Sequence, residues 1–515
     1  MSSSETSFFK SFKKVGLWTG LSRIFGLIRD ISTTSLLGAS IFHDIFVVTL
    51  KIPNLFRRFF AEGAFNQAFI PVYSDFHSLN NEKATKDFLN ALAGSFLSIL
   101  FFITIIVLLI TPVFILIFAP GFYFDDYKRD IAVNVLQIMF PYLALISLVA
   151  FAGGIQNTHE RFSLPAATPI IFNLCLIFAA VVIAPLFEMP IYVLAWGVLL
   201  AGIIQLFIQL FPLKAIDRLP VPKFDFSNTG SRKVFKLMIP AIFAGGIIQI
   251  NLLVDTIFAS LLQTGSPTWL YVSDRLIQLP MGIFAIAIGT VLLPTLSKIN
   301  IENNLNEFAH QVKKGQKFVI YIGIPSFIGL SLCANDILST IFLRGEFYEN
   351  DVYQSSRSLM AFSIGLPFFM LMKVLTPAFF ARKDTKTPMY IALLSLCLNA
   401  SLNYILAFVF GFGHVGIAIG SSISAIISVL VMEAILIKQN IVNLQSPFNR
   451  FNASILVSSL FLISFLYGFS EIINFSTLNQ LEKVFYLTIE ICFSVIIYLG
   501  VTKIINGNSI KGMLN

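Results

Sequence analysis

The chain has 515 residues, 56% of them hydrophobic and only 12% charged, with a formal net charge of +8. Soluble domains carry about twice that charged fraction, so the composition excludes an ordinary soluble fold. Apolar runs of membrane-crossing length recur throughout and predict an all-α polytopic membrane protein.

The first residues, MSSSETSFFKSFKK, are polar and basic. They lead into a charged amphipathic span without a small-residue cleavage site, so no cleavable signal peptide is expected. From there the apolar pattern predicts fourteen transmembrane helices, at 14–37, 42–71, 88–118, 131–154, 165–187, 191–213, 237–262, 268–296, 318–341, 353–381, 387–410, 414–437, 451–473 and 484–502. An even number of spans puts both termini on one side. Loops on that side hold twenty-three Lys and Arg, and the opposite loops hold four (Lys128, Arg129, Arg344 and Lys483). That bias predicts cytoplasmic termini. It also explains most of the net positive charge as topology, so no nucleic-acid partner is expected. Cys175, Cys333, Cys397 and Cys492 lie scattered in apolar spans and read as small packing residues.

The longest basic loop, residues 217–236, follows six spans, and six more precede a second polar stretch at 438–452. Span two contains Lys51-Ile-Pro53 and ends Pro71-Val-Tyr-Ser74, while span eight contains Gln278-Leu-Pro280 and ends Pro294-Thr-Leu-Ser297. Superposing these pairs leaves span two four residues longer, in the region of Arg57 to Ala64. The expected architecture is two six-helix lobes, 1–216 and 237–440, joined by a cytoplasmic linker at 217–236. They form a parallel repeat about a pseudo-two-fold along the membrane normal. Two accessory helices within 441–515, strongly apolar apart from Glu490, lie outside the repeat and suit a lipid-facing role. Such a repeat encloses a central cavity, which spans one, two and eight would line.

Eight Lys and Arg fall inside the predicted spans: Arg23, Arg29, Lys51, Arg57, Arg58, Arg275, Arg357 and Lys373. A charge near the bilayer centre costs about 2.5–3.5 kcal/mol on insertion scales, so clustered charges mark a watery pathway. Six of the eight lie in spans one, two and eight. In span one, Thr19, Arg23, Gly26, Asp30 and Thr33 share one helical stripe, with Arg29 beside it. In span two, Asp44 precedes a stripe of Lys51, Asn54, Arg58, Glu62 and Asn66, and span eight carries Asp274, Arg275 and Gln278. Pro53 and Gly63 are points where span two can bend. Setting the six cations against Asp30, Asp44, Glu62 and Asp274 leaves a net charge of +2. Arginine outnumbers lysine five to one among them, and its planar fork grips phosphate oxygens in pairs while staying charged. The inferred ligand is an anion of the phosphate or pyrophosphate type. The structural alternatives are an Arg58–Glu62 pair at i,i+4 and snorkelling of Arg23 or Lys51 to an interface. Lys373 and Arg357 fit a cavity or a snorkelling anchor equally.

Asp255 is a lone carboxylate in span seven, and Asn399 and Asn403 share a face of span eleven. Three such oxygen-bearing side chains could hold a sodium ion or a proton, although interhelical hydrogen bonding is the favoured reading. No GxxxxGK[ST] phosphate loop occurs, so ATP hydrolysis is not expected to power the protein. No cofactor is expected, which leaves sodium or the membrane potential as candidate energy sources. His43, His77, His159, His310 and His414 are dispersed, without metal spacing or a nucleophile–base arrangement.

The run Ser22-Arg23-xx-Gly26-xx-Arg29-Asp30, then Gly38-Ala39 and Asp44, then Lys51-xPNLx-Arg57-Arg58-xFAEGAFxQAFxP, resembles the signature of the MurJ (MviN) family. Asp274-Arg275-Leu276 followed by Pro280, and Leu293-Pro294-x-Leu-Ser, resemble it too. The likeness spans essentially the whole chain, and the PNLxRRxFAEGAF run is very specific. The resemblance implies a lipid II flippase of the multidrug/oligosaccharidyl-lipid/polysaccharide exporter superfamily, a transporter and not an enzyme. Such a protein serves peptidoglycan synthesis in the bacterial inner membrane and works within the phospholipid bilayer beside cell-wall synthesis proteins. By the resemblance, Arg23, Arg29, Asp44, Arg57, Arg58 and Arg275 are functional cavity charges, and Asp30, Lys51, Glu62 and Asp274 belong to the same signature. Asp255, Asn399 and Asn403 resemble a sodium site of some members, with one family carboxylate standing here as an amide. The last two spans resemble a groove for the lipid tail. The competing readings are an exporter of another lipid-linked oligosaccharide, a drug or cation antiporter, an integral-membrane transferase, and a scaffold for cell-wall enzymes. The arginine-rich charge pattern argues against the antiporter, and the lack of a paired acid/base or metal-binding carboxylate argues against the transferase.

Overall fold

The computed structural model describes residues 3–58, 60, 63–78, 81–299, 304–442 and 449–506. Among these residues every regular element is a helix, and the chain divides into two compact units, Met1–Gly265 and Ser266–Asn515.

The first unit holds α1 (Ser3–Leu37), α2 (Ile41–Arg57), α3 (Ala64–Ser78), α4 (Glu82–Leu109), α5 (Thr111–Phe118) and α6 (Pro120–Tyr123). It continues with α7 (Asp126–Met139), α8 (Tyr142–Thr158), α9 (Ser163–Phe178), α10 (Pro190–Ala215) and α11 (Thr229–Ser260). Helix α1 packs on α9, α8 on α10, and α3 on α11. Aromatic rings fill the space between α3, α4 and α8. Phe65 stacks on Phe96 at 4.7 Å between centroids, and Phe69 meets Phe151 edge-on at 5.2 Å. Polar groups inside this unit are matched to one another, as an apolar surround requires. The amides of Gln156 and Gln209 bond to each other, Gln209 donates to the Thr168 hydroxyl at 2.7 Å, and Gln205 donates to the Thr168 carbonyl at 2.9 Å.

The second unit holds α12 (Ser266–Pro280), α13 (Ile286–Ser297), α14 (Leu305–Leu332), α15 (Ala334–Phe342) and α16 (Glu349–Phe380). It ends with α17 (Lys386–Tyr404), α18 (Gly413–Lys438), α19 (Arg450–Ile472) and α20 (Gln480–Asn506). Helix α16 is its hub and packs on α12, α14 and α18. The indole of Trp269 donates to Asp351 at 3.1 Å, and the Ser273 hydroxyl donates to the Ser355 carbonyl at 2.7 Å, fastening α12 to α16. The accessory helices α19 and α20 pack on each other and on α14, while Leu460, Phe461, Phe485 and Phe493 stay exposed.

Eleven helical segments are long and apolar enough to cross a membrane among the described residues. Expected spans one and two are helical without joining that group, because α1 and α2 carry charges and span two is interrupted; expected span seven lies in α11 (Thr229–Ser260). Along the helix expected at 42–71, α2 ends at Arg57 and α3 starts at Ala64, and the described residues between them include Arg58 and Phe60 in π-helical geometry. Pro53 removes a ladder donor four residues before the break. Beyond it the Gly63 amide reaches back five residues to the Arg58 carbonyl at 3.1 Å, where a β-carbon on Gly63 would stand 2.7 Å from that oxygen. The corresponding helix of the second unit breaks at the matching place, since Pro280 is followed by a π-helical turn over Met281–Ala285. Both second helices of the repeat are therefore jointed at the same point.

The stretch expected as a linker, 217–236, also differs. Helix α11 begins at Thr229, eight residues before the predicted span, because the Asn228 side chain accepts from the Ser231 amide and caps it. The preceding residues run as a strap along α4. The Lys223 and Val221 amides donate to the Asn90 carbonyl and side chain at 2.9 and 2.7 Å, and Ser95 donates to the Asp225 carbonyl at 3.1 Å. Arg218 pairs with Glu82 at 2.6 Å and Lys86 with Asp217 at 2.5 Å. The Lys86 ammonium bonded to Asp217 holds that carboxyl below its usual range. The bridge is therefore complete above the ordinary carboxylate pKa and is lost only as pH falls through the lowered value.

A side chain on Gly94 would place its β-carbon 2.2 Å from the Lys223 carbonyl oxygen. Gly94→Ala is expected to lift the strap off α4 and destabilise the protein by about 1–3 kcal/mol. Thermal unfolding and the rate of tryptic cleavage after Lys223 are the readouts, and an unchanged cleavage rate would show that the strap is not held there.

Candidate functional site

The charged residues fall into three groups within the first unit. On α1, burial rises along the predicted stripe, from exposed Thr19 through half-buried Arg23 to buried Gly26, Asp30 and Thr33. Arg29 turns its fork onto its neighbour: Nε and Nη2 donate to Asp30 Oδ1 at 3.0 and 2.6 Å. Its Nη1 donates to Asn173 Oδ1 at 3.2 Å, and the guanidinium lies 5.7 Å from the centre of the Phe172 ring. Asn173 in turn donates to the Ser22 carbonyl at 3.1 Å, so α9 clamps α1 through one amide. This ion pair lets Asp30 sit 1% exposed in an apolar surround.

The second group ties α2 to α11. Asp44, 2% exposed, accepts from the Gly265 amide at 2.6 Å, where Gly265 takes a φ of +94° that favours glycine. Two turns along α2, the Lys51 ammonium donates to Thr256 at 3.0 Å, one residue from Asp255. The third group is the end of α2 itself. Arg57 is half-buried and Arg58 exposed, on the last turn before the break. The arginines thus stand where α2 passes into π-helical geometry at Arg58 and Phe60. Glu62 lies outside the described residues.

In the second unit, Asp274 and Arg275 are half-buried on α12, and the Gln278 amide donates to Asp274 at 2.6 Å one turn away. Asn399 accepts from Ser421 at 3.2 Å, and Asn403 packs so closely on Gly420 that a β-carbon there would lie 2.4 Å from its side-chain oxygen. With Ser395 and Ser424 bonded at 2.9 Å on the same helix pair, this is a polar seam joining α17 to α18. Asp255 belongs to the first unit and the two asparagines to the second. Among the described residues no three His, Cys, Asp or Glu side chains group to hold a metal. Lys373 is exposed on α16, and Arg357 is exposed over the Tyr353 ring at 5.8 Å.

Sequence reasoning missed Phe172, Asn173, Thr256 and Gly265, the residues that hold the charges in place. Asn173 carried a usable signal, as a single amide in an otherwise apolar span.

The fold is one shared with solved membrane transporters. A multidrug resistance transporter of the MOP superfamily in an inward-facing conformation superposes with a TM-score of 0.64 at 13% identity, covering 82% of this chain and 94% of that one. A family model described as lipid II flippase MurJ matches residues 33–486, and the chain belongs to that family. The probable lipid II flippase MurJ of Haemophilus influenzae is 35% identical over 95% of this chain and 98% of its own. The lipid II flippase MurJ of Burkholderia cenocepacia is 33% identical over 89% of each chain. A solved structure of lipid II flippase MurJ in an inward closed conformation has a TM-score of 0.79 at 27% identity, covering 95% of this chain and 98% of that one.

Removing the Asp44 carboxylate leaves the Gly265 amide without its acceptor in a buried place. Asp44→Ala is expected to cost about 1–3 kcal/mol, and Asp44→Asn, which keeps an acceptor, clearly less. Thermal unfolding of both variants decides this, and equal losses would remove the amide bond as the cause.

Proposed function

We propose that this chain flips lipid II, the undecaprenyl-pyrophosphate-linked peptidoglycan precursor, across the bacterial inner membrane by alternating access. Its family supports the substrate, and the pattern of its charges supports the way that substrate is held. The observation that carries the site is the end of α2. Two adjacent arginines stand where α2 gives way to π-helical geometry in an apolar protein, one half-buried and one exposed. A pyrophosphate offers paired anionic oxygens that match the guanidinium fork. In this reading Arg23, Arg57, Arg58 and Arg275 contact the headgroup, with Lys51 adding charge. Arg29 takes part through the ion pair with Asp30 that orients it. Asp44, Asp274 and Glu62 hold conformations and moderate the charge for release, while the polyprenyl tail stays in lipid.

The six-helix lobes 1–216 and 237–440 are the proposed rocking bodies, with α19 and α20 serving the lipid tail. Both termini are placed in the cytoplasm on the strength of the loop-charge bias. Cell-wall synthesis enzymes are the proposed protein partners. The membrane potential is the proposed drive, worth about 2.3 kcal/mol per elementary charge per 100 mV. The sodium alternative would use Asp255, Asn399 and Asn403 as ligands.

Arg57→Ala and Arg275→Ala are each expected to lower flipping at least tenfold, since a charge-assisted contact is worth about 1.5–3 kcal/mol. The measurement is the share of lipid II in each leaflet of cells depleted of their own flippase. Full complementation by both variants would sink the assignment. In vesicles held at fixed potential, exchanging sodium for potassium is expected to leave the rate within about twofold, because charge movement in the field needs no sodium. A strong slowing, abolished by Asp255→Asn, would establish the sodium site instead.

A further inference from the structure

Helix α20 is apolar along most of its length, yet one stripe at its N-terminal end is not. Gln480, Lys483, Leu487 and Glu490 follow at helical spacing and so share a face. That face meets the end of α14 and the short helix α15 in an antiparallel ladder. The Gln480 side chain donates to the Thr340 carbonyl at 2.5 Å, and the Cys333 thiol donates to Glu490 Oε1 at 3.2 Å. Lys483 and Asp336 stand between these two rungs and act on each other electrostatically. Glu490 is 2% exposed, Cys333 5% and Lys483 6%.

Two features of Glu490 separate it from a helix-fastening residue of the ordinary kind. Its second oxygen, Oε2, is buried without a hydrogen-bond partner, as is the hydroxyl of Ser494 one turn further along the same face. A bare carboxylate oxygen in an apolar setting is among the most costly groups a membrane protein can hold. The charges of the ladder also do not balance. Two carboxylates, Asp336 and Glu490, face one ammonium, Lys483, and a single added proton brings the set to neutrality. One further charge stands at the Gln480 end of the ladder, where Arg344 Nη2 donates to the same Thr340 carbonyl at 2.8 Å, eight residues past Asp336 and at the opposite end from Glu490. On α19, Tyr467 and Glu471 are exposed, and Arg450 lies at the far end against the Ile505 carbonyl. On α14, Tyr321 accepts from Tyr498 through its carbonyl, two turns past Glu490, and Glu482 of α20 itself is exposed.

We propose that Glu490, together with Asp336 and Lys483, forms a one-proton binding site that fastens α20 to α15. The proton comes from water and sits on the Glu490 carboxyl, one turn before the buried Ser494 hydroxyl. Lys483 answers Asp336, which lies in the first turn of α15. Docking of α20 takes the proton up, and parting of the helices hydrates Glu490 and gives it back. The proposal does not depend on which substrate the protein carries.

The test is infrared difference spectroscopy of the full-length protein in phospholipid vesicles, following the carbonyl stretch of protonated carboxyl groups as pH is changed. At neutral pH one such band is expected, and Glu490→Gln, which copies the shape of the neutral acid, removes it while leaving thermal unfolding unchanged. Asp336→Asn takes away the second negative charge and lowers the proton affinity of Glu490 at least tenfold, so the band fades at neutral pH. Lys483→Met leaves two acids without their cation and adds a second protonated carboxyl. A band that survives in Glu490→Gln overturns the site. Failure of that variant to fold overturns it too, since a neutral amide should be tolerated where a neutral acid stands. A band of native strength in Asp336→Asn would show that Glu490 is neutral for reasons unrelated to the ladder, and that the shared proton does not exist.

Discussion

The interaction on which the rest depends is the repulsion between charge and an apolar surround. Each ionised group inside this protein must be neutralised, bonded or set where water or a ligand can reach it. The first unit uses all three solutions within two helices. Asp30 is paired with the neighbouring Arg29, Asp44 is bonded to a backbone amide, and the two arginines at the end of α2 remain accessible.

Much of this was legible in the sequence, for reasons that differ by residue. Charge in an apolar run is a strong signal because composition alone makes it costly, so Arg23, Arg29, Lys51, Arg57, Arg58 and Arg275 stood out. Pro53 and Gly63 marked the joint in span two, since each has a defined backbone effect. The matching joint after Pro280 was hidden, because a π-helical turn leaves no residue signature over Met281–Ala285. The partners of the charges were hidden as well. Thr256 and the Gly265 amide are ordinary groups that matter only through a tertiary contact spanning some two hundred residues. Residues 217–228 read as a loop from composition, and nothing local says that their backbone bonds to Asn90 and Ser95 of α4. Asn399 and Asn403 show the converse. Their shared face was legible, and the contacts with Ser421 and Gly420 give that face a packing role.

Polar residues at the helix contacts divide along a related line. Where small residues let two backbones approach, hydroxyls and amides serve as fasteners, as in Ser395–Ser424 and Gln209–Thr168. Where a titratable group occupies such a contact without matching charge, the contact acquires a dependence on conditions that a serine pair lacks. Glu490 is the instance in the second unit, and it lies on an accessory helix whose other faces are plain hydrocarbon surface.

The sequence tally of six cations against four acids understates how cationic the accessible surface is. Asp30 and Asp44 are almost fully buried, and each accepts from a protein donor through one oxygen. Asp274 is engaged by Gln278 one turn away on its own helix. Arg58 is exposed, and Arg23, Lys51, Arg57 and Arg275 are half-exposed. In the first unit the acids therefore act inward, stabilising helix positions, while Arg23, Arg57 and Arg58 lie toward the accessible surface. For the proposed capture and release of a pyrophosphate, this division matters more than the sum.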